Sequence, residues 1–242
     1  MGRLVAEAVA GDVELRLGAC YDPGVASGEA GGLAISGDPH VVAGSDVVVE
    51  FTLPEVVLGN LRMWHDFGVH AVVGTSGFDA DRIDALGAFW GPGDARCLVV
   101  PNFSIGAVLM MRFAEEAAAH FRAAEIIELH HDGKADAPSG TALATARRVG
   151  AVAPDQRRAV EGEEAAAGAR GALVDGVRVH AVRLPGLLAH QEVLFGGSGE
   201  TLSIRHDTTD RSAFVPGVLL AIRAVGGLSE PLTVGLEQVL GT

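Results

Sequence analysis

Glu125-Ile126-Ile127-Glu128-Leu129-His130-His131-Asp132-Gly133-Lys134-Ala135-Asp136-Ala137-Pro138-Ser139-Gly140-Thr141-Ala142 sets several titratable side chains between two segments of opposite periodicity. Residues 125–131 alternate apolar with polar and use β-prone types, which predicts a strand. Residues 139–149, Ser-Gly-Thr-Ala-Leu-Ala-Thr-Ala-Arg-Arg-Val, predict a helix that opens on a serine cap, with Pro138 just before it. A polar turn joins the two. Amides in the first turn of a helix lack intrahelical acceptors, so Gly140 and Thr141 make this helix start an anion site.

Lys134 is the one lysine among 18 basic residues, the others being arginine. Its ammonium is a compact, titratable three-donor group that a guanidinium cannot replace as a proton donor. His130 and His131 precede it by four and three positions, close enough to share its pocket. Adjacent strand residues point to opposite faces, so this pair chelates a single ion poorly. No CxxC or HExxH completes a site, and no metal is expected.

The run E-I-I-E-L-H-H-x-x-K-x-D-A-P-S-G-T-A resembles the signature of the dihydrodipicolinate reductase (4-hydroxy-tetrahydrodipicolinate reductase) family. The resemblance continues through V-V-G-T-S-G-F at 72–78, V-P-N-F-S-I-G at 100–106, H-A-V-R-L-P-G-L-L-A-H-Q-E-V-L-F-G at 180–196 and E-T-L-S-I-R-H-D at 200–207. It spans nearly the whole chain.

With 242 residues and 48% hydrophobic content, the chain has material for two lobes. A net charge of −13 argues against a nucleic-acid or anionic-membrane partner, since both need basic surfaces. Cys20 and Cys97 lie in β-prone apolar runs, and no signal peptide or long apolar span is present, which reads as a cytoplasmic protein with reduced thiols.

In chain order the pattern predicts helix at 3–10, strand at 13–20, a Gly-rich loop with a short helical turn over 23–45, strand at 46–51, helix at 54–67, strand at 69–73, helix at 79–90 and strand at 96–100. Such alternation is that of a Rossmann-like, doubly wound parallel sheet. From 104 the character changes. A helix at 105–121 is followed by the signature strand and helix, an Ala/Gly/Glu/Arg-rich loop at 153–176, and strands at 177–184, 188–196 and 200–207. The last two are joined by Gly196-Gly197-Ser198-Gly199 as a hairpin. A helix at 214–226 and a tail at 232–240 return to the first domain. The reading is an α/β dinucleotide-binding domain over 1–103 and 214–242, plus an α+β substrate-binding and oligomerisation domain over 104–213 with a mixed or antiparallel sheet. The chain's two crossings, near 103–105 and 207–215, are expected to form a hinge whose closure brings cofactor to substrate.

Ligands of open α/β sheets sit beyond the carboxyl ends of the strands. There Gly74, Thr75 and Ser76 follow one strand and Val100, Pro101, Asn102 and Phe103 close another; by resemblance both loops contact the dinucleotide. Asp22 occupies the position where such folds set a carboxylate on the adenosine ribose. Pro23, standing where an arginine would neutralise a 2′-phosphate, tilts the reading toward NADH, and arginines elsewhere leave NADPH open.

The resemblance implies NADH- or NADPH-dependent reduction of a cyclic imine dicarboxylate in the diaminopimelate and lysine pathway by a homotetramer assembled through the second domain's sheet. It makes His130 the proton donor or acceptor and Lys134 the proton donor or the charge partner of a carboxylate, with His131, Gly140 and Thr141 binding the dianion. A competing class is a non-catalytic dicarboxylate or nucleotide sensor on the same fold, distinguished by failure to oxidise NAD(P)H. A semialdehyde-type oxidoreductase is disfavoured because the motif holds no cysteine.

The family's G-A-x-G-R-M-G turn ends where this chain begins, so Gly2 is carried over as a cofactor residue. The resemblance then implies that the first strand and most of the phosphate loop, about ten residues, are missing. Expected consequences are a gap or rearranged pairing between the strands at 13–20 and 46–51, and dinucleotide binding that is weak or lost while the second domain stays folded.

Overall fold

The computed structural model describes residues 1–25, 27–93, 95–153 and 164–241, which fall into two compact units. Unit 1 comprises Met1–Ile105 and Phe214–Thr242. Helix α1 (Gly2–Ala10) leads to three short strands, β1 (Cys20–Tyr21), β2 (Glu29–Ala30) and β3 (Leu33–Ser36), ordered β1-β3-β2 in a small sheet. Next come β4 (Val47–Glu50), α2 (Val57–Asp66), β5 (His70–Val73), α3 (Ala80–Gly87) and β6 (Cys97–Val99). Strands β4, β5 and β6 pair in parallel. Their valine-rich runs suit a sheet covered on both faces, and every residue of β6 is buried. Val57, Leu61 and Trp64 of α2 and Leu86 of α3 pack with Ala71, Val73, Cys97 and Val99 to form the core of this unit. Asp79 caps α3 by accepting from the Arg82 amide at 2.9 Å.

Two stretches of unit 1 differ from expectation. Of 13–20 only Cys20 enters a ladder, paired through β1 with β3. Asp12 accepts from the amides of Glu14 and Leu15, turning the chain there, and residues 15–19 have no ladder partner among the described residues. Strand β1 therefore belongs to a different sheet from β4. Within 23–45, expected as loop, β2 and β3 form a hairpin whose turn is Gly31-Gly32, with φ of 57° and 80°. Two consecutive left-handed residues are the requirement of a tight hairpin turn, and glycine meets it.

Unit 2 comprises Gly106–Ala213. Its elements are α4 (Ile105–Ala118), β7 (Ala123–His130), α5 (Gly140–Val152), β8 (Ala172–Val174), β9 (Val177–Arg183), β10 (Ala189–Gly196) and β11 (Thr201–Thr208). The five strands order as β11-β10-β7-β9-β8, with β7 at the centre. Of these pairings only that of β7 with β9 is parallel, so the sheet is mixed. Ala124, Ile126, Val177, Val179, Val193 and Phe195 face Ala114 and Ala118 of α4 and Ala142, Ala146 and Val149 of α5. Alanines along both helices let them sit close to the sheet. In the expected loop 153–176, residues 154–163 lie outside the described residues, while β8 pairs with β9 across Asp175-Gly176, both at positive φ (47° and 86°).

The chain then returns to unit 1 through α6 (Val215–Ala224) and β12 (Leu232–Val234), which pairs in parallel with β6 to complete a four-stranded sheet ordered β12-β6-β5-β4. No helix among the described residues is long and apolar enough to cross a membrane.

Candidate active site

Alternation along β7 points Ala124, Ile126, Glu128 and His130 toward the helices. Register sets Glu128 opposite Gln191 of β10 and Ala181 of β9, and His130 opposite Ala189 and Arg183. An acid thus stands where the periodicity calls for a hydrophobe. Glu128 is fully buried, and both its carboxylate oxygens are paired. Arg183 grips it with both guanidinium arms, Nη1 to Oε2 at 3.0 Å and Nη2 to Oε1 at 2.8 Å. The Ser139 amide donates to Oε1 at 3.1 Å, and His130 meets Oε2 through Nδ1. Burial alone would raise this carboxyl, but the bonds from Arg183 and His130 outweigh it and hold it below its ordinary range. Burial also pushes His130 below its ordinary value, against the opposing pull of Glu128.

Arg183 reaches further, donating from Nε to the Lys134 carbonyl at 3.2 Å and from Nη2 to the Asp136 carbonyl at 2.5 Å. One side chain thus ties the end of β9 to the turn after β7. Lys134 Nζ lies 2.7 and 2.8 Å from the two carboxylate oxygens of Asp136, and that hydrogen bond holds the Asp136 carboxyl down. His131 is exposed at the strand end. The α5 start forms as expected: Ser139 Oγ accepts from the Ala142 amide at 3.2 Å. A Cβ built on Gly140 meets nothing within 4 Å, so a ligand can come close to this backbone. Behind the first turn, Gln191 Nε2 donates to Thr145 Oγ1 at 2.7 Å, and Thr145 donates to the Thr141 carbonyl at 2.8 Å. His130 and Lys134, with the helix start carrying Gly140 and Thr141, are therefore joined through Glu128 and Arg183.

In unit 1, Gly74, Thr75 and Ser76 leave β5 beside Val100, Pro101, Asn102 and Phe103 leaving β6. Gly74 is wedged between aromatic rings: an added Cβ would lie 2.1 Å from Phe51 and 2.7 Å from Phe103. Thr75 Oγ1 accepts from the Thr52 amide at 3.0 Å, and Asn102 Oδ1 accepts from the Ser104 amide at 2.9 Å. Ser76 and Pro101 are exposed. Below this rim the buried Glu50 carboxylate receives Asn60 Nδ2 at 3.0 Å, Trp64 Nε1 at 2.7 Å and the Thr52 hydroxyl. Small and hydroxylated residues at adjacent strand ends fit a nucleotide approaching the backbone. Gly2, at the start of α1, and Asp22, whose Oδ1 accepts from the Gly24 amide at 2.9 Å, lie on other segments of this unit. Among the described residues no group of three His, Cys, Asp or Glu is arranged to hold a metal.

Sequence reasoning passed over Glu128 and Arg183. A usable signal was present: Glu128 breaks the apolar face begun by Ala124 and Ile126, and a buried acid demands a cation.

Residues 1–103 match the family model described as dihydrodipicolinate reductase, N-terminus, and residues 106–240 the model described as dihydrodipicolinate reductase, C-terminus. A 4-hydroxy-tetrahydrodipicolinate reductase of Nocardia farcinica is 57% identical over 205 residues, covering 81% of each chain. One from Mycolicibacterium vanbaalenii is 48% identical across 99% of this chain and 95% of its own length. Among solved structures, a dipicolinate-bound dihydrodipicolinate reductase from Paenisporosarcina sp. TG-14 superposes with TM-score 0.87 at 36% identity, over 99% of this chain and 95% of that one. A UDP-N-acetylglucosamine 3-dehydrogenase from Acidithiobacillus ferrooxidans, at 13% identity and TM-score 0.55, shares the fold alone.

Proposed function

The chain belongs to the dihydrodipicolinate reductase family, and on that premise we propose that it works as a 4-hydroxy-tetrahydrodipicolinate reductase, forming tetrahydrodipicolinate in the diaminopimelate and lysine pathway. The observation that carries the reading is the joined set of His130, Lys134 and the α5 start, built on the motif that the chain shares with this family. Unit 1 is the dinucleotide-binding domain and unit 2 the substrate-binding domain.

A reduced nicotinamide, when bound, supplies the hydride. What this chain adds is charge, orientation and a proton. Lys134 and His131 balance the two carboxylates of a cyclic imine dicarboxylate, and the first-turn amides at Gly140 and Thr141 donate to one of them. His130 holds the proton that the reduced ring takes up, with Lys134 as its alternative source. Gly74, Thr75, Ser76, Val100, Pro101, Asn102 and Phe103 hold the nicotinamide half of the cofactor, while Asp22 and Gly2 serve its adenosine and phosphate portions. Asp22 followed by Pro23 favours NADH over NADPH. The sheet face of unit 2 opposite its helices carries the partly exposed Ile127, Leu129 and Leu194, which supports a homotetramer assembled through it. A net charge of −13 fits a cytoplasmic enzyme with neither nucleic acid nor membrane as partner.

The test is oxidation of NADH and of NADPH by the purified protein, supplied with freshly formed cyclic substrate. Turnover with either cofactor is expected, faster with NADH. A protein that binds pyridine-2,6-dicarboxylate yet oxidises neither cofactor would overturn the reading.

A further inference from the structure

The Glu128 carboxylate is 0% exposed and so touches neither solvent nor any ligand entering from it. An ionised carboxyl is expensive to bury without full pairing. Yet its partners lead into the reacting segment. His130 is the first, the amide of Ser139 that opens α5 is the second, and Arg183, which also holds the carbonyls of Lys134 and Asp136, is the third. That arginine contributes both of its arms.

An ionised carboxylate only accepts hydrogen bonds. Beside it the His130 Nδ1 must carry its hydrogen, and the ring's other nitrogen is left to take or give a proton. We infer that Glu128, backed by Arg183, is a positioning residue for this reaction: it fixes His130 as the Nδ1–H form, makes Nε2 the working nitrogen, and holds the turn bearing Lys134 in register with the α5 start. The inference rests on the proposed reaction only for His130's part in it; the tautomer stands independently.

The same charges set the direction of any pH effect. Facing His130 are Glu128 on its own strand, Arg183 on β9 and Lys134 on the turn, while Ala189 lies opposite on β10. Of these only Glu128 draws the ring toward its charged form, so removing that carboxylate leaves burial and two cations to discharge it. In Glu128→Gln the amide oxygen keeps Arg183 Nη2 and the Ser139 amide, which turns the amide group toward Nδ1 at the cost of the Nη1 arm. An amide N–H donates, so Nδ1 becomes an acceptor and the tautomer inverts.

Nitrogen-15 NMR of the imidazoles, with His130 assigned by comparison with His130→Gln, gives the first test on the unaltered protein. A neutral His130 protonated at Nδ1 is expected, and one protonated at Nε2 overturns the inference without bearing on the reductase reading. Failure of the wild-type protein to turn over would sink that reading and leave the tautomer result intact. The second test is steady-state kinetics of Glu128→Gln and Glu128→Asp. The Glu128→Gln change is expected to lower kcat on the order of 10²- to 10⁴-fold, as when other buried carboxylates that orient a histidine lose their charge. KM for the dicarboxylate should stay within about threefold, and the pH at which kcat falls should move down. Glu128→Asp, still acceptor-only, should recover part of the rate. Equal kcat in the wild type and in Glu128→Gln, or a loss confined to KM, overturns the inference.

Discussion

Lys134 meets the Asp136 carboxylate at 2.7 and 2.8 Å, so a substrate carboxylate must compete with an internal one. Removing the ammonium in Lys134→Ala should cost several kcal/mol of transition-state stabilisation, about 10²-fold or more in kcat/KM. A loss under about tenfold would remove Lys134 from the mechanism. Thr141→Val keeps a β-branched residue in the first turn of α5 and deletes one hydroxyl. Affinity for pyridine-2,6-dicarboxylate should fall about five- to tenfold, the size of one hydrogen bond, with Tm almost unchanged. Titration calorimetry that finds equal affinity would remove the Thr141 hydroxyl from the anion site and leave only the first-turn amides there.

Helix α6 shows how tightly one element can be set against another. A Cβ on Gly217 would stand 2.0 Å from the Phe103 carbonyl oxygen, and backbone cannot step aside as a side chain can. Gly217→Ala should therefore lower Tm by roughly 3–10 °C, and by displacing Phe103 should raise KM for the cofactor more than for the dicarboxylate. Unchanged melting and an unchanged cofactor KM would refute both parts. The sheet of unit 2 should respond to acid. His130 and His206 are pushed by burial below their ordinary 6.5, so the unfolded chain takes up protons first and a penalty grows as pH falls below that value. Glu128, held below its ordinary 4.5, adds stability above that value and loses it as pH falls through its own lowered pKa. All three act in one direction. Tm should be flat above about pH 7 and decline steadily below about 6.5; a flat profile down to about pH 5 would contradict this. These elements also mark what was legible in the chain. The strand of three valines at 47–49 and the strand, turn and helix of the motif could be read because their signals are local. Glu128 was legible as an acid on an apolar face, but its cation Arg183 was not, since it lies 55 positions away and only the parallel pairing of β7 with β9 brings the two together. Residues 13–20 have β-prone composition, but a strand also needs a neighbour, and only Cys20 found one. Asp175-Gly176, between Ala172-Leu173-Val174 and Val177-Arg178-Val179, carried a hairpin signal that the Ala/Gly/Glu/Arg-rich run before it obscured.

For the assembly, sedimentation should give a mass about four times the 24.8 kDa of one chain. Ile127→Arg, placing charge on the open face of β7, should shift it toward smaller species, and a monomeric wild-type protein would rule out the tetramer. Each subunit also brings a charge of −13, so association should tighten with added salt. The division of the chain bears on how it is made. Unit 2 occupies one uninterrupted span, Gly106–Ala213, whereas unit 1 needs Phe214–Thr242 to close its sheet, β12 being the neighbour of β6. On the ribosome the chain emerges amino end first. The portion that starts first is therefore finished last: a chain that ends shortly after residue 213 has every strand of unit 2 in hand while β6 still lacks its β12 neighbour. Proteolysis of such shortened chains, released and purified, should find the middle of the protein resistant and its beginning still open to attack.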